Sequence, residues 1–127
     1  MKTKTKALGD LGEEAAAKYL RKNHYKIRGR NHTSGKYEID IIAEDRDYII
    51  FVEVKTRTYR EESIARFGRA CTAVDENKRR CLLLAARDYV HEKKCKKQIR
   101  MDVIEVYYQE GDPPLLQTIH HMPDAFR

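Results

Sequence analysis

The stretch YEIDIIAEDRDYIIFVEVKTR, residues 37–57, contains two apolar runs separated by four polar residues. Runs of this kind predict β-strands, at 37–43 and 48–56, and the polar connector at 44–47 predicts a hairpin. Alternate residues of a strand point the same way, so Glu53 and Lys55 share one face of the second strand. Because charged side chains are rarely buried without a partner, this face indicates a site of chemistry.

The hairpin also predicts which acidic side chains meet. A four-residue connector places Glu38 opposite Glu53 and Asp40 diagonal to Glu53, with about 7 Å between the α-carbons of the diagonal pair. Carboxylates at that spacing can share one divalent cation, and three acids in a half-buried site would repel one another without it. Lys55 can then orient a water or offset charge on a phosphate. A slip of one residue would move Asp40 to the other face.

The remaining elements follow from the spacing of apolar residues, which differs between helices and strands. This spacing predicts a helix at 8–23, a strand at 25–30, a helix at 74–90, and strands at 99–108 and 115–122. The order α-β-β-β-α-β-β predicts an α/β fold, with helices flanking a mixed central sheet. A chain of 127 residues without repeats or a low-complexity linker predicts one domain over residues 1–127.

An excess of basic residues favours a polyanionic partner. Lys and Arg number 26 against 20 Asp and Glu, a net charge of +6, which suits a nucleic acid or an anionic membrane surface. The weak periodicity of residues 57–73 predicts a basic loop after the site strand, with Tyr59 and Phe67 available for stacking on bases. Four of its arginines are expected to hold phosphates: Arg57, Arg60, Arg66 and Arg69. A solvated basic surface is the alternative.

Lys78 falls in the apolar stripe of the second predicted helix. It either reaches a nucleic-acid phosphate or extends its stem so that the ammonium meets water. Two further features are expected to be structural. Asp102 beside Arg100 predicts an ion pair rather than a ligand. His120 and His121 are neighbours on a strand, so they face opposite ways and are expected to be polar edge residues rather than a metal pair.

The cysteines and the apolar segments indicate in which cellular compartment the protein is expected. The three cysteines form no CxxC pair, and an odd number is a poor disulfide framework, so a reducing cytosol is expected. The basic start MKTKTK is not followed by an apolar segment, so no secretory signal is expected. No stretch approaches the ~20 apolar residues of a membrane span. A cytoplasmic protein without membrane insertion is predicted.

Several motifs carry a resemblance to known nucleases. Asp40, followed after the hairpin by Glu53-Val54-Lys55, resembles the PD-(D/E)XK signature. The chain also resembles the YraN family of small bacterial proteins, which are similar to archaeal Holliday junction resolvases. This resemblance is carried by the hairpin and by four further segments: GDLGEEAA, AVDENKRR, IRMDVIEV and HHMPDAF. The resemblance covers nearly the whole chain. It implies a restriction-endonuclease-like α-β-β-β-α-β core with one extra C-terminal strand.

The resemblance also implies roles for individual residues. Asp40 and Glu53 would be ligands of Mg²⁺ or Mn²⁺, the Val54 carbonyl a third ligand, and Lys55 the residue that positions the attacking water. The chain departs from the family at two positions. Tyr37 stands where the family usually has glycine, and Glu38 stands where many superfamily members have a small or apolar residue.

An acid on the first helix completes such sites in resolvases. At 100° per residue, Glu13 lies beside the apolar stripe of the helix, whereas Glu14 lies further round toward solvent, so Glu13 is the better candidate. The alternative for both residues is a first-turn acid stabilised by the helix dipole.

The resemblance therefore implies a metal-dependent endonuclease that hydrolyses phosphodiester bonds in DNA, including branched DNA. An alternative is a non-catalytic nucleic-acid-binding or assembly module that retains the nuclease fold, because a fold does not guarantee activity. A third interpretation makes Glu53 and Lys55 a partly buried structural ion pair. A homodimer is left open.

Overall fold

Two helices and five strands make up the part of the chain that the structure, a computed structural model, describes: residues 4–59 and 75–127. The elements are α1 (Lys4–Lys22), β1 (Lys26–Ser34), β2 (Tyr37–Glu44), β3 (Tyr48–Thr58), α2 (Glu76–Glu92), β4 (Gln98–Gln109) and β5 (Leu115–Phe126). The predicted order is confirmed, and each strand runs at least one residue further than the apolar spacing predicted. Neither described helix is long and apolar enough to cross a membrane.

The described strands form one sheet in the order β1-β2-β3-β4-β5. The β3–β4 pair is parallel, whereas the other three pairs are antiparallel. Parallel neighbours require a crossover connection, and α2 lies in the segment between these two strands. The sheet is therefore mixed, as predicted, and consistent with a restriction-endonuclease-like core that β5 extends by one strand.

The two helices bury opposite faces of the sheet. Ala16 and Leu20 of α1 belong to the same apolar cluster as Val52, while Leu82 of α2 belongs to a second cluster with Phe51. Burial on both faces explains the nearly continuous apolar run of β3. The face that carries Glu53 is consequently covered by α2, so any charge on it lies at the edge of a core.

The register of the β2–β3 hairpin differs from the predicted one by two residues. Glu44 lies opposite Ile49, and the Asp45 N–H donates to the Tyr48 carbonyl at 3.1 Å, so Glu44 extends the strand instead of starting the turn. The Asp45 carboxylate further accepts from the Asp47 and Tyr48 N–H groups and closes the tighter turn. The predicted pairing of Glu38 opposite Glu53 is therefore wrong. Because the shift is even, the paired residues 41–44 keep their predicted faces, but Ile39 packs in one cluster with Ile42, so the alternation of β2 is broken beyond the paired ladder.

A close contact between α1 and β3 brings the first helix to the site. A β-carbon added at Gly12 would lie 1.9 Å from Thr56 Oγ1, far inside van der Waals contact. Glycine therefore allows the helix backbone to approach β3 more closely than any other residue would. Because Glu13 follows Gly12, this approach determines how near the Glu13 side chain comes to the acidic end of β3.

A buried network ties β4 to β5. Arg100 forms a bidentate ion pair with Asp102, with both nitrogen–oxygen distances 2.9 Å, so the predicted ion pair is confirmed. His121 Nε2 lies 2.6 Å from Asp102 Oδ2, and His121 Nδ1 lies 3.0 Å from the Tyr19 hydroxyl. The His121 side chain is only 9% exposed. The predicted position of His121 on an edge strand is confirmed, since β5 is the last strand of the described sheet, and helix α1 covers its ring with Tyr19.

The predicted basic loop falls mostly outside the described residues. Strand β3 continues to Thr58, so Arg57 is a strand residue and not a loop residue. Tyr59 follows the strand, and its N–H donates to the Tyr108 carbonyl at 2.6 Å. Three arginines and one aromatic residue named above lie outside the described residues: Arg60, Arg66, Arg69 and Phe67.

Candidate functional site

The candidate site lies where β2 separates from β3. The paired ladder ends at Ile41 and Val52, one residue short of Asp40. Beyond that point the Val54 N–H has no partner in the backbone ladder to β2, and it donates to Asp40 Oδ2 at 2.8 Å. The Asp40 carboxylate thus takes the place of a backbone acceptor, which brings it against the main chain between Glu53 and Lys55.

Glu53 is a buried carboxylate held by two lysines. Its side chain is only 8% exposed, and its Oε1 atom lies 2.7 Å from Lys78 Nζ and 3.4 Å from Lys55 Nζ. The predicted shared face of Glu53 and Lys55 is confirmed. For Lys78, the sequence suggested a phosphate contact or a solvated ammonium, and the structure instead shows an ion pair with Glu53. Two cations around one buried acid make this a charged cluster and not an isolated pair.

The acids of this cluster interact strongly. Burial raises the pKa of Asp40 to about 7, with the charge of Glu53 as the second cause, and these outweigh the hydrogen bond from the Val54 N–H. Burial disfavours the ammonium of Lys78, but the hydrogen bond to Glu53 and its charge outweigh burial and raise the pKa of Lys78. The cluster therefore stabilises additional positive charge, either a proton on Asp40 or a cation.

Glu13 and Glu38 extend the acidic cluster through Asn31. With its amide nitrogen turned toward the carboxylates, Asn31 donates to Glu13 Oε1 at 2.8 Å and to Glu38 Oε1 at 2.9 Å. Burial raises the pKa of Glu13, and the charges of Glu38 and Glu53 raise it further. Glu38 therefore belongs to the acidic cluster although it does not lie opposite Glu53. No sequence pattern indicated Asn31, because its contribution depends on the pairing of β1 with β2.

The choice between Glu13 and Glu14 is decided by Arg30. Glu14 Oε2 accepts a hydrogen bond from Arg30 at 2.8 Å, which lowers the pKa of Glu14, and the charge of Glu13 rather than that of Glu14 acts on Asp40. Helix α1 begins at Lys4 and has no acidic residue in its first turn. The alternative explanation of these glutamates as first-turn acids is therefore wrong, and Glu13 is the helix acid beside the cluster.

A second buried acid, Glu105, lies on the same face as Lys55. Glu105 is opposite Lys55 in the β3–β4 register and is fully buried. Its Oε2 atom accepts from the Tyr107 hydroxyl at 2.5 Å and lies 3.4 Å from Arg57 Nε. Within the described residues, its Oε1 atom has no hydrogen-bond partner. A charged residue inside the apolar run of β4 is the sequence signal that indicates this acid.

Arg57 is consequently anchored by Glu105. Its side chain is 40% exposed while its Nε atom faces Glu105, so part of the guanidinium remains accessible beside Lys55. A guanidinium presents five donors in a planar fork, and the ion pair uses one edge of it. The geometry is compatible with the predicted phosphate contact.

The donor set fits a hydrated divalent cation. In the residues that the structure describes, no group of three or more His, Cys, Asp or Glu side chains is arranged to hold a metal. Asp40 and Glu53 alone supply two adjacent carboxylates, and the Val54 main chain lies between them and Lys55. Mg²⁺ commonly uses one or two carboxylates and keeps several waters. Glu13 is not part of such a group in the described residues, although its charge raises the pKa of Asp40.

Comparisons with known proteins identify the family. The family model described as Uncharacterised protein family UPF0102 matches residues 12–106, which include α1 from Gly12 onward, the hairpin and most of β4. A UPF0102 protein from Trichlorobacter lovleyi is 42% identical over 94% of this chain and 90% of its own length. UPF0102 proteins from Caldanaerobacter subterraneus subsp. tengcongensis and Clostridioides difficile are 38% and 39% identical over at least 95% of both chains. These matches cover the elements that carry the acidic cluster, and this chain belongs to the UPF0102 family.

Proposed function

We propose that this protein is a divalent-metal-dependent endonuclease of the cytoplasm that hydrolyses phosphodiester bonds in DNA, with branched DNA of the four-way-junction type as a substrate. The proposal combines the resemblance to PD-(D/E)XK nucleases with one structural observation. Asp40 and Glu53, brought together at the end of a hairpin, share a half-buried site with Lys55 and Lys78.

The raised pKa of Asp40 supports a cation-binding role for this site. A structural ion pair would place equal and opposite charges together, yet here burial and the charge of Glu53 raise the pKa of Asp40 to about 7 although the charge of Lys78 lowers it. A group with a strongly perturbed pKa next to a specific charged partner is a candidate for function. The interpretation of Glu53 and Lys55 as only a structural pair leaves Asp40 unexplained.

Each side chain has a defined task in the proposed reaction. Asp40 and Glu53 would hold the cation, which when bound lowers the pKa of a water and offsets charge on the phosphate. Lys55, 3.4 Å from Glu53, would donate to the attacking water or to a phosphate oxygen. Arg57, anchored by Glu105, would contact the next phosphate along the backbone.

A second candidate function is nucleic-acid binding or assembly without catalysis. A specific observation favours it: Lys78 Nζ donates to Glu53 Oε1 at 2.7 Å, so this carboxylate already has a cationic partner. Within the described residues, no third acidic side chain completes a group that could hold a metal. Such a module would still use the positive charge of the chain for phosphate contacts and would release DNA unchanged.

A cleavage assay separates the two functions. End-labelled four-way junction and linear duplex of the same sequence are incubated with the protein in Mg²⁺, Mn²⁺ or EDTA. We expect metal-dependent cleavage that is lost in Asp40→Asn and in Glu53→Gln and retained in Asp88→Asn, a control at an exposed position on α2. Binding without cleavage in all metals would favour the second function. The mass of the protein–junction complex shows whether one protomer or a homodimer binds.

A further inference from the structure

Lys78 reaches the site from a different element than the other charged residues. Asp75 caps helix α2, and the Lys78 N–H donates to Asp75 Oδ1 at 2.8 Å, so the backbone of Lys78 is fixed in the first turn. Its side chain then crosses to Glu53 on β3, where the 2.7 Å contact is the shorter of the two lysine contacts with Oε1. The ammonium therefore bridges α2 and the end of the hairpin.

The contact places Lys78 where a cation would bind. Glu53 Oε1 already accepts from one ammonium, and a divalent cation that uses the same carboxylate must approach against this positive charge. Lys55 lies two residues along the same strand and 23% of its side chain is exposed, whereas the Lys78 side chain is 35% exposed. A long flexible stem with access to solvent lets Lys78 move to water without any change in the backbone.

We infer that Lys78 is an internal counterion, which neutralises Glu53 in the metal-free protein and leaves Glu53 when a divalent cation binds. This inference rests on the proposed function. Two cations that use one carboxylate weaken each other's binding, and such coupling is reciprocal. The lysine therefore keeps the empty site folded, lowers its affinity for the metal, and becomes available for a substrate phosphate once the metal is bound.

The chain offers a closely matched control for this lysine. Lys97 Nζ pairs with Glu44 Oε2 at 3.0 Å, and its side chain is 35% exposed, the same fraction as that of Lys78. Glu44 is the last residue of β2, whereas Asp40 lies in the middle of that strand. Replacing Lys97 by methionine removes an ion pair of an equally exposed lysine, together with its hydrogen bond to the Asp45 carbonyl, without touching the candidate site.

Calorimetric titration with Mn²⁺ tests the inference on the full chain without a cleavage readout. In Lys78→Met we expect Mn²⁺ to bind about tenfold tighter or more, with a lower thermal midpoint in EDTA and a larger rise of the midpoint on adding Mn²⁺. Lys97→Met should bind Mn²⁺ like the wild type. Circular dichroism checks folding, and Lys78→Gln, which keeps a polar end, replaces the methionine variant if that variant does not fold.

The outcomes separate this inference from the proposed function. Unchanged or weaker Mn²⁺ binding in the Lys78 variant, with normal binding in the wild type, would overturn the counterion role and leave the metal site intact. If wild-type protein binds no Mn²⁺, or binds it equally well after Asp40→Asn, the proposed metal site fails and the counterion role fails with it. Tighter binding in both lysine variants would indicate a general charge effect and would also overturn the inference.

Discussion

Replacement of Asp40 by asparagine is expected to stabilise the metal-free protein at alkaline pH and to have little pH-dependent effect in acid. Asparagine keeps a carbonyl oxygen that can accept from the Val54 N–H, as Asp40 Oδ2 does at 2.8 Å, and it removes the charge. The substitution therefore isolates the effect of an ionised carboxylate beside Glu53.

The magnitude follows from the raised pKa of Asp40. The usual carboxyl pKa of 3.8 is raised in the folded protein to about 7. Between these values the folded state keeps a proton that the unfolded chain has lost, so the stability of the wild type falls as pH rises through this window and levels off above it. At about 1.4 kcal/mol for each pH unit, the ionised Asp40 costs the folded wild type about 4 kcal/mol at pH 8 compared with pH 4.

Urea denaturation in EDTA at several pH values measures this difference. The free energy of unfolding of Asp40→Asn minus that of the wild type should increase by about 4 kcal/mol from pH 4 to pH 8. Asp88→Asn, at an exposed position, should show no such increase. In a Glu53→Gln background the increase should shrink, because the charge of Glu53 is the second cause of the raised pKa. An advantage of equal size at pH 4 and pH 8 would refute the electrostatic origin.

Three further predictions concern other residues of the chain. Gly12→Ala should destabilise the protein by about 1–3 kcal/mol through the clash with Thr56. Gly9→Ala, with no atom within 4 Å of the added carbon, should instead stabilise it by up to about 1 kcal/mol. Equal effects of the two substitutions in urea denaturation would contradict the close contact. Lys55→Ala should abolish cleavage while Mn²⁺ affinity stays the same or increases, and a loss of Mn²⁺ binding in calorimetry would contradict its assignment to the phosphate. Replacing Arg60, Arg66 and Arg69 by alanine should weaken DNA binding and flatten the log–log salt dependence of affinity by up to about three units, without changing Mn²⁺ affinity. An unchanged slope would exclude these arginines from the binding surface.

Local pattern predicted the elements well because their signals are periodic along the chain. The alternation in residues 37–57 predicted the hairpin, and the position of α2 between β3 and β4 is what a parallel pair requires. The burial of both faces of β3 was less evident. A continuous apolar run shows that a strand is buried, but the helices that cover it are found only when the whole sheet is assembled.

The sequence by itself determined that Asp40 and Glu53 would share a face and that Lys55 would lie beside Glu53. An error of two residues in the register does not exchange the two faces of a paired strand, so the prediction tolerated the tighter turn. The alternation fails at Ile39, which lies in the same core cluster as Ile42. The sequence likewise indicated Glu13 over Glu14, since angular position on a helix depends only on residue number.

Only the tertiary structure decided which partners complete the cluster. Lys78 meets Glu53 across 25 residues of chain, and Asn31 links Glu13 to Glu38 because β1 pairs with β2. The charge of Glu105 within the apolar run of β4 was visible in the sequence, but its partner Arg57 on β3 was not. Contacts between elements depend on how the layers pack, which no periodic pattern within one element specifies. A buried charge therefore reveals from sequence that a partner must exist, and the fold alone determines which residue that partner is.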